Sequence, residues 1–595
     1  MKIKKYISIM FLALTASYTF TACSDDDSFG ESPRLFRPVT SLEVKNNNLV
    51  ATWENIKEAT DYILELYRVT GTDDQDNNTY ELLSEVSCQS SPYTFEGLDW
   101  DEKYMVKIKC KGIGKESEQY QTLDANIAYI SRLSGTKAID NAVRISWKEA
   151  SSTNADIIKA IKVVAEPVAP DATTKAEGEE GSEAAERIEF VSEAELNAGY
   201  KDIFNLNPET KYTFYTYKDT ETLDNSTYAG KLSTTTTATP NFEELFPNGY
   251  ADLRNQPDKD PETIFQDQAF WSTITEGMGV ILAGGIDYKI ETEAFVFHNS
   301  ITFMTGPTLG NNARIVLDAS MQGSGSIEKI EFNSIDFCGK PVVTAEQEGK
   351  DYIRENTNNQ FGSKQIFNPN GSNSTINNLI FKDCNMTGFR SLVRSQKGSD
   401  NFTNILFDGC TINGIGEQGV VTSGKESPAW KTITFRDCTI MNIVFLCDLR
   451  YTAEPAPTVN IENCTFCYAP AERWDKGDYS LFRFSKNAVT LNITNSLFGP
   501  SMYTGKESGS NVVAYTAGTK GSNFLDGANA LPSVSHSYKT NFEWTVCGNN
   551  KTYPLDGLQD LGFDETSLWQ DPKNGDFKVI GVIGEDGIGA SKWLQ

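Results

Sequence analysis

The chain has 595 residues, of which 39% are hydrophobic and 23% charged, and its formal net charge is −28. That length provides for about three or four domains with ample core material. The acidic balance excludes nucleic acid as a partner, because phosphate binding requires a concentrated basic surface, but it leaves room for a local basic patch. The first element is "MKIKKYISIMFLALTASYTFTAC". Lys2, Lys4 and Lys5 precede an apolar run from Ile7 to Phe20, then the small residues Thr21 and Ala22, then Cys23. The run is short for a transmembrane helix and ends in a cleavable pattern.

This segment resembles a bacterial lipoprotein signal, with cleavage before Cys23 and lipid on that cysteine. Phe20 stands where leucine is usual, and an ordinary secretory signal is the alternative. The acidic run from Ser24 to Asp27 resembles the surface-export signal of Bacteroidota lipoproteins. That resemblance implies an outer-membrane protein facing the cell exterior; the alternative is a solvated linker. Residues 1–22 are thus the signal and 23–36 an acidic linker.

Residues 37–128 and 129–240 read as two β-sandwiches of short alternating strands. "NLVATWENI" carries Trp53, "DYILELYRV" alternates Tyr62, Leu64 and Leu66, and "GLDWDEKYMVKIKC" places Leu98 six residues before Tyr104. In the second copy "AVRISWKEA" carries Trp147, and "LNPETKYTFYTY" carries Leu206, Pro208, Thr210, Tyr212 and Phe214. This phrase, preceded by a strand tryptophan, resembles fibronectin type III domains, whose tyrosine hydroxyl anchors a corner. Trp100 replaces the proline in the first copy and is an aromatic for edge packing or exposure. Residues 166–187, acidic and almost free of large apolar groups, read as a disordered loop.

Residues 241–595 are governed by a repeated phrase. "LIFKDCNM" (379–386), "ILFDGCTI" (405–412), "ITFRDCTI" (433–440) and "VNIENCTF" (459–466) are close copies; "IEFNSIDF" (330–337) and "LNITNSLF" (491–498) are looser. The intervals are 49, 26, 28, 26 and 32 residues, the first read as about two turns. Alternation holds, breaks at Asp383, Gly409, Asp437, Asn463 or Asn495, and resumes with shifted phase: strand, corner, strand. A period of this size with short strands predicts a right-handed parallel β-helix, in which stacked turns bury a continuous column. The fold class is therefore all-β: two fibronectin type III-like sandwiches, then the β-helix. Cys384, Cys410, Cys438 and Cys464 form an inward ladder continued by Ser496; disulfides between turns and metal thiolates are the alternatives. "MGVILAGGIDYKI" and "FVFHNSITF" predict earlier turns, with His298 at the entry end. The segment 567–593 resembles the closing segment of parallel β-helix proteins, which implies that it covers the open end of the helix.

The arrangement resembles pectate-lyase-like β-helix proteins, and more narrowly Bacteroidota surface lipoproteins of polysaccharide-utilisation systems. The resemblance implies a pectic polysaccharide as partner, alongside other surface glycan-utilisation proteins. A polygalacturonase-type active site is rejected, since no Asp-Asp pair follows residue 100 and neither His298 nor His536 has the required context. A lyase of this fold needs carboxylates for Ca2+ and an Arg or Lys base. Aligning "LVRS", "VVTS", "LCDL" and "LFRF" predicts one outward row of Arg394, Thr422, Asp448 and Arg483, with Arg390 and Arg450 nearby. Such a row suits a uronate, because Arg pairs bidentately with carboxylate. Trp430, Tyr451 and Trp474 lie in loops as sugar-stacking candidates. Three functions remain open. The first is a glycan-binding lipoprotein. The second is a Ca2+-dependent lyase with Arg394 or Arg483 as base and Asp448 as metal ligand. The third is a surface adhesion or assembly protein. The bland reading is a charged outer face with one local ion pair, Asp448 with Arg483 or Arg394, worth little to stability.

Overall fold

The computed structural model describes residues 34–594, apart from 74, 151–155, 167–185, 257–258, 340–360, 425, 427, 472–479, 507–512, 518–523, 545–552 and 585. The signal, Cys23 and most of the 166–187 loop therefore lie outside the described residues; the last two loop positions, Glu186 and Arg187, already belong to the strand Glu186–Phe190. Contacts divide the chain into two compact units. One comprises residues up to 135, 145–201 and 212–233; the other comprises 136–144, 202–211 and 234–595. No helix among the described residues is long and apolar enough to cross a membrane.

In the first sandwich, strands Thr40–Lys45, Asn48–Trp53 and Tyr93–Phe95 form one sheet, and Asn78–Cys88, Asp61–Thr72 and Glu102–Gly112 lead the other. Alternate residues point inward, so Leu64, Leu66, Val106 and Ile108 meet Trp53 in the core. Tyr104 makes the anticipated corner: its hydroxyl accepts from the Asp99 N–H at 3.0 Å. Burial pushes the Tyr104 phenol up to about 12. Trp100 is half-buried and meets Tyr129 edge-on at 5.2 Å, which is packing rather than display. In the second sandwich the sheets are Leu133–Ala138, Ala142–Trp147 and Tyr200–Phe204, and Glu186–Phe190, Ala160–Ala165, Lys211–Tyr217 and Tyr228–Thr235.

The remainder is a parallel β-helix with three faces. Ten parallel strands stack on the first face, from Tyr250–Asp252 to Leu531–Ser535. The second face runs from Asp287–Ile290 to Gln559–Asp560, and the third carries Phe295–Phe297, Cys447–Asp448, Phe482–Ser485 and their neighbours. The corner between the first two faces needs a left-handed residue, and each predicted position supplies it: Asp383, Gly409, Asp437, Asn463 and Asn495 have φ of 50°, 65°, 53°, 52° and 49°. Ser334 and His536 take the same conformation in flanking turns, with φ of 53° and 45°. One expectation is corrected. Ile330 pairs directly with Leu379, so the interval of 49 residues is a single turn carrying an insertion, not two turns.

Equivalent residues stack up the column. Phe303, Phe332, Phe381, Phe407 and Phe435 form one stack with centroids 5.2, 5.4, 5.1 and 4.8 Å apart and ring planes within 15°. Beside it run Cys384, Cys410, Cys438 and Cys464, all fully buried and unpaired. Each thiol donates at 3.4 Å to a phenylalanine carbonyl of the preceding turn: Phe332, Phe381, Phe407 and Phe435. Ser496 continues the ladder through its hydroxyl, which accepts from the Cys464 N–H at 3.0 Å. These are core thiols, and burial pushes Cys384 and Cys438 up. Of the nine described cysteines, only Cys88 and Cys338 keep appreciable surface. Iodoacetamide on the native chain is therefore expected to label those two and spare the other seven until denaturant is added; mass mapping of a labelled Cys410 or Cys438 in the native state would contradict the ladder.

The C-terminal segment does not cover the open end. Leu568, Trp569, Phe577 and Ile588 pack on the helix flank against Met441, Cys467, Leu497 and Tyr538. The chain then climbs back over the turns. Ala590 donates to the Thr465 hydroxyl at 3.0 Å, the Trp593 indole to Thr439 at 2.7 Å and Lys592 to Thr411 at 2.7 Å. This explains why threonine follows cysteine in three copies of the phrase: the thiol faces in and the hydroxyl serves the tail. At the far end the core continues instead through Phe524, Phe542 and Trp544, with centroids 5.2–5.6 Å apart.

Candidate functional site

The predicted row exists in register on the third face. Arg394 pairs with Thr422, Thr422 with Asp448, and Asp448 with Arg483. It extends one strand further, to Asp526 opposite Arg483. At about 4.8 Å per strand, Arg394 and Arg483 stand roughly 14 Å apart. The sequence reading missed Asp526, because Leu525–Gly527 lies beyond the last copy of the repeated phrase; the likeness of "FLDG" to "LCDL" was the available signal.

Asp448 is the hub. Only 6% of its side chain is exposed. Its Oδ1 accepts from Arg450 Nε at 2.8 Å and its Oδ2 from an Arg450 terminal nitrogen at 3.0 Å. Arg483 donates to the same Oδ2 from the neighbouring turn. The Arg483 guanidinium also lies over the Phe445 ring, 4.0 Å from its centroid. Both carboxylate oxygens are thus engaged by cations. A divalent ion entering at Asp448 would meet two guanidinium charges, so the Ca2+ reading of this carboxylate draws no support from the geometry. No group of three or more His, Cys, Asp or Glu suited to a metal occurs among the described residues.

Thr422 was expected to face outward. It is 5% exposed, and its hydroxyl donates to the Asp448 carbonyl at 3.3 Å, along the row rather than into solvent. Arg390 pairs with Glu417 on the adjacent turn, a partner not anticipated. Arg394 is half-buried, and among the described residues no hydrogen-bond acceptor or carboxylate partner meets its guanidinium. Burial lowers the Arg394 pKa, the like charge of Arg390 lowers it further, and Glu417 opposes both.

The aromatic candidates divide. Trp430 is 3% exposed and packs edge-on to Phe402 inside the column, so it is a core residue and not a stacking platform. Tyr451 is 40% exposed, with the Arg450 guanidinium 5.3 Å from its ring centroid. Trp474 lies outside the described residues. The third face therefore carries Arg450 and Arg483 on Asp448, Arg390 on Glu417, and Arg394 two strands from Asp448, with Tyr451 and Asp526 alongside: four guanidinium groups to three carboxylates. What this surface can do chemically is hold carboxylates.

The fold and this surface define an all-β chain of two fibronectin type III-like sandwiches and a parallel β-helix bearing an arginine row. No protein-family model and no curated protein matches the chain. Among solved structures it is similar to a two-domain fibronectin type III segment of chicken tenascin, at 11% identity over 33% of this chain and 97% of that one, with a TM-score of 0.14. It is also similar to the FN1–FN3 domains of chicken CNTN1, at 13% identity over 35% of this chain and 69% of that one, with a TM-score of 0.13.

Proposed function

We propose that this chain is a lipid-anchored cell-surface protein that binds uronate-containing, pectic-type polysaccharide along the arginine row, within a glycan-utilisation system. The observation that carries the reading is Arg394. A half-buried guanidinium beside Arg390, without an acceptor among the described residues, is poorly compensated in a chain of net charge −28. A uronate carboxylate would supply both the missing charge and a bidentate partner. Tyr451 offers an adjacent ring face. The anchoring rests on the N-terminal pattern ending at Cys23, and the glycan system rests on the resemblance of the architecture. The sandwiches act as spacers.

The test is affinity electrophoresis of residues 24–595 in gels containing polygalacturonate or its methyl ester. Retardation is expected with the acid form and not with the ester, and Arg394→Ala is expected to weaken it by about tenfold or more, as for loss of a charge-assisted hydrogen-bonded pair. Equal retardation by the ester would remove the carboxylate from the argument. Depolymerisation, read as unsaturated uronate absorbing in the ultraviolet, would replace binding by the lyase reading.

A further inference from the structure

A second hollow, at the entry end of the β-helix, has no part in the arginine row. It measures about 530 Å³, within the range of roughly 300–1,000 Å³ that small-ligand sites occupy. Its floor is aromatic. Phe265 and Trp271 are stacked 5.6 Å apart at 19°, and Phe295 stands edge-on to them at 5.0 and 4.7 Å. The Trp271 indole N–H donates to the Ile264 carbonyl at 2.8 Å. That bond fixes the ring and consumes its one polar atom, so what it offers the hollow is apolar. Trp271 and Phe295 both keep part of their surface exposed.

The rim is polar and idle. Gln266, Glu293 and His298 are exposed, and among the described residues none of the three side chains has a hydrogen-bond or ion-pair partner. An amide, a carboxylate and an imidazole together supply donors and acceptors in several directions. Among the described residues no Lys or Arg lines the hollow and Glu293 brings the one carboxylate, so an anion is disfavoured there. Charge therefore separates this place from the arginine row.

The geometry points to a carbohydrate site that takes a neutral pyranose unit, its apolar ring face on Trp271 and Phe295 and its hydroxyls on Gln266, Glu293 and His298. The site stands apart from the proposed uronate surface in position and in charge, so each can fail without the other.

Saturation-transfer NMR on residues 24–595 tests it, with cellotetraose, mannotetraose and galactotetraose as neutral probes and tetragalacturonate as the anionic one. Transfer to ring protons of at least one neutral probe is expected. Combining Gln266→Ala, Glu293→Ala and His298→Ala, all at exposed positions, is expected to weaken that binding by about tenfold or more. Arg394→Ala is expected to leave it unchanged. No transfer to any of the three neutral probes would overturn the proposal. So would neutral binding that survives the triple variant or is lost in Arg394→Ala, or tetragalacturonate binding that the triple variant abolishes.

Discussion

Asp448→Ala is expected to destabilise the β-helix by about 3 kcal/mol, the lower end of what removing one partner from a buried ion pair costs. The carboxylate is almost wholly buried and receives two guanidinium groups, so its removal leaves two charges facing one another across a turn. The lower end applies because Arg450 and Arg483 keep 33% and 20% of their side chains exposed and can turn partly toward water. The Thr422 and Ser423 hydroxyls bond the Asp448 carbonyl, not its carboxylate, and stay satisfied in the variant. Asp448→Asn keeps one acceptor oxygen and should fall between the two. The chain holds more than one folding unit, so the readout is the β-helix transition in calorimetry, with the sandwich transitions unmoved. Binding gives an independent check. If the row holds carboxylates, Asp448 competes with the ligand for Arg450 and Arg483, and its loss should tighten polygalacturonate binding in the folded variant. If Asp448 were a metal ligand for catalysis, the same change would abolish function. Weakened binding with an intact fold would therefore count against the arginine row.

The same residue shows where sequence reasoning reached and where it stopped. Register was legible, because a period-two strand in a repeated phrase can be aligned on its inward residues, and Arg394, Thr422, Asp448 and Arg483 fall opposite one another as aligned. Corners were legible because Asp and Asn favour left-handed backbone through their short polar side chains and Gly through its lack of a Cβ. His536 does the same work in a later turn without belonging to that set, and the repeated phrase does not extend to it. Partnership was legible in part: the ion pair of Asp448 with Arg483 is one that the charged-face reading named, whereas Arg450 on Asp448 and Glu417 on Arg390 were not anticipated. Whether an arginine reaches along its own strand, as Arg450 does to Asp448, or across turns, as Arg390 does to Glu417, depends on rotamers that no alignment carries. Burial on the outer face was not legible: Arg450 and Arg483 lie over Asp448, which makes an outward position a closed one.

Trp430 failed for a related reason. By position it sits in the loop before the strand Thr432–Arg436, where an aromatic reads as display. The loop turns it onto Phe402, a residue of the preceding turn, and the column closes over it. The C-terminal segment was misplaced because end-capping and flank-covering present the same short strands and aromatics. What distinguishes them is the threonine row at Thr411, Thr439 and Thr465, whose repetition next to the inward cysteines marks a surface meant to be covered.

Phe407→Ala is expected to cost about 3–5 kcal/mol, the range for emptying a large core side chain. Phe407 is fully buried and stands between Phe381 at 5.1 Å and Phe435 at 4.8 Å, with ring planes 8° and 4° from parallel. A cavity here cannot collapse easily. Strands Thr375–Lys382, Asn401–Asp408 and Thr432–Arg436 are locked in register by backbone ladders, which hold the turns at their spacing whatever lies between them. Phe407→Leu restores most of the volume but loses both ring stacks, worth about 0.5–1.5 kcal/mol per aromatic pair, so it should cost clearly less than alanine. Position matters as well as size. In a stacked column each turn is stabilised chiefly by its neighbours, so damage at a middle turn weakens the coupling between the halves on either side. The β-helix transition of Phe407→Ala should broaden as well as shift, and hydrogen exchange should show the turns beyond Phe407 opening independently of those before it. A loss under about 1 kcal/mol, or leucine and alanine costing the same, would mean the phenylalanine stack is a consequence of the register and not a source of its stability.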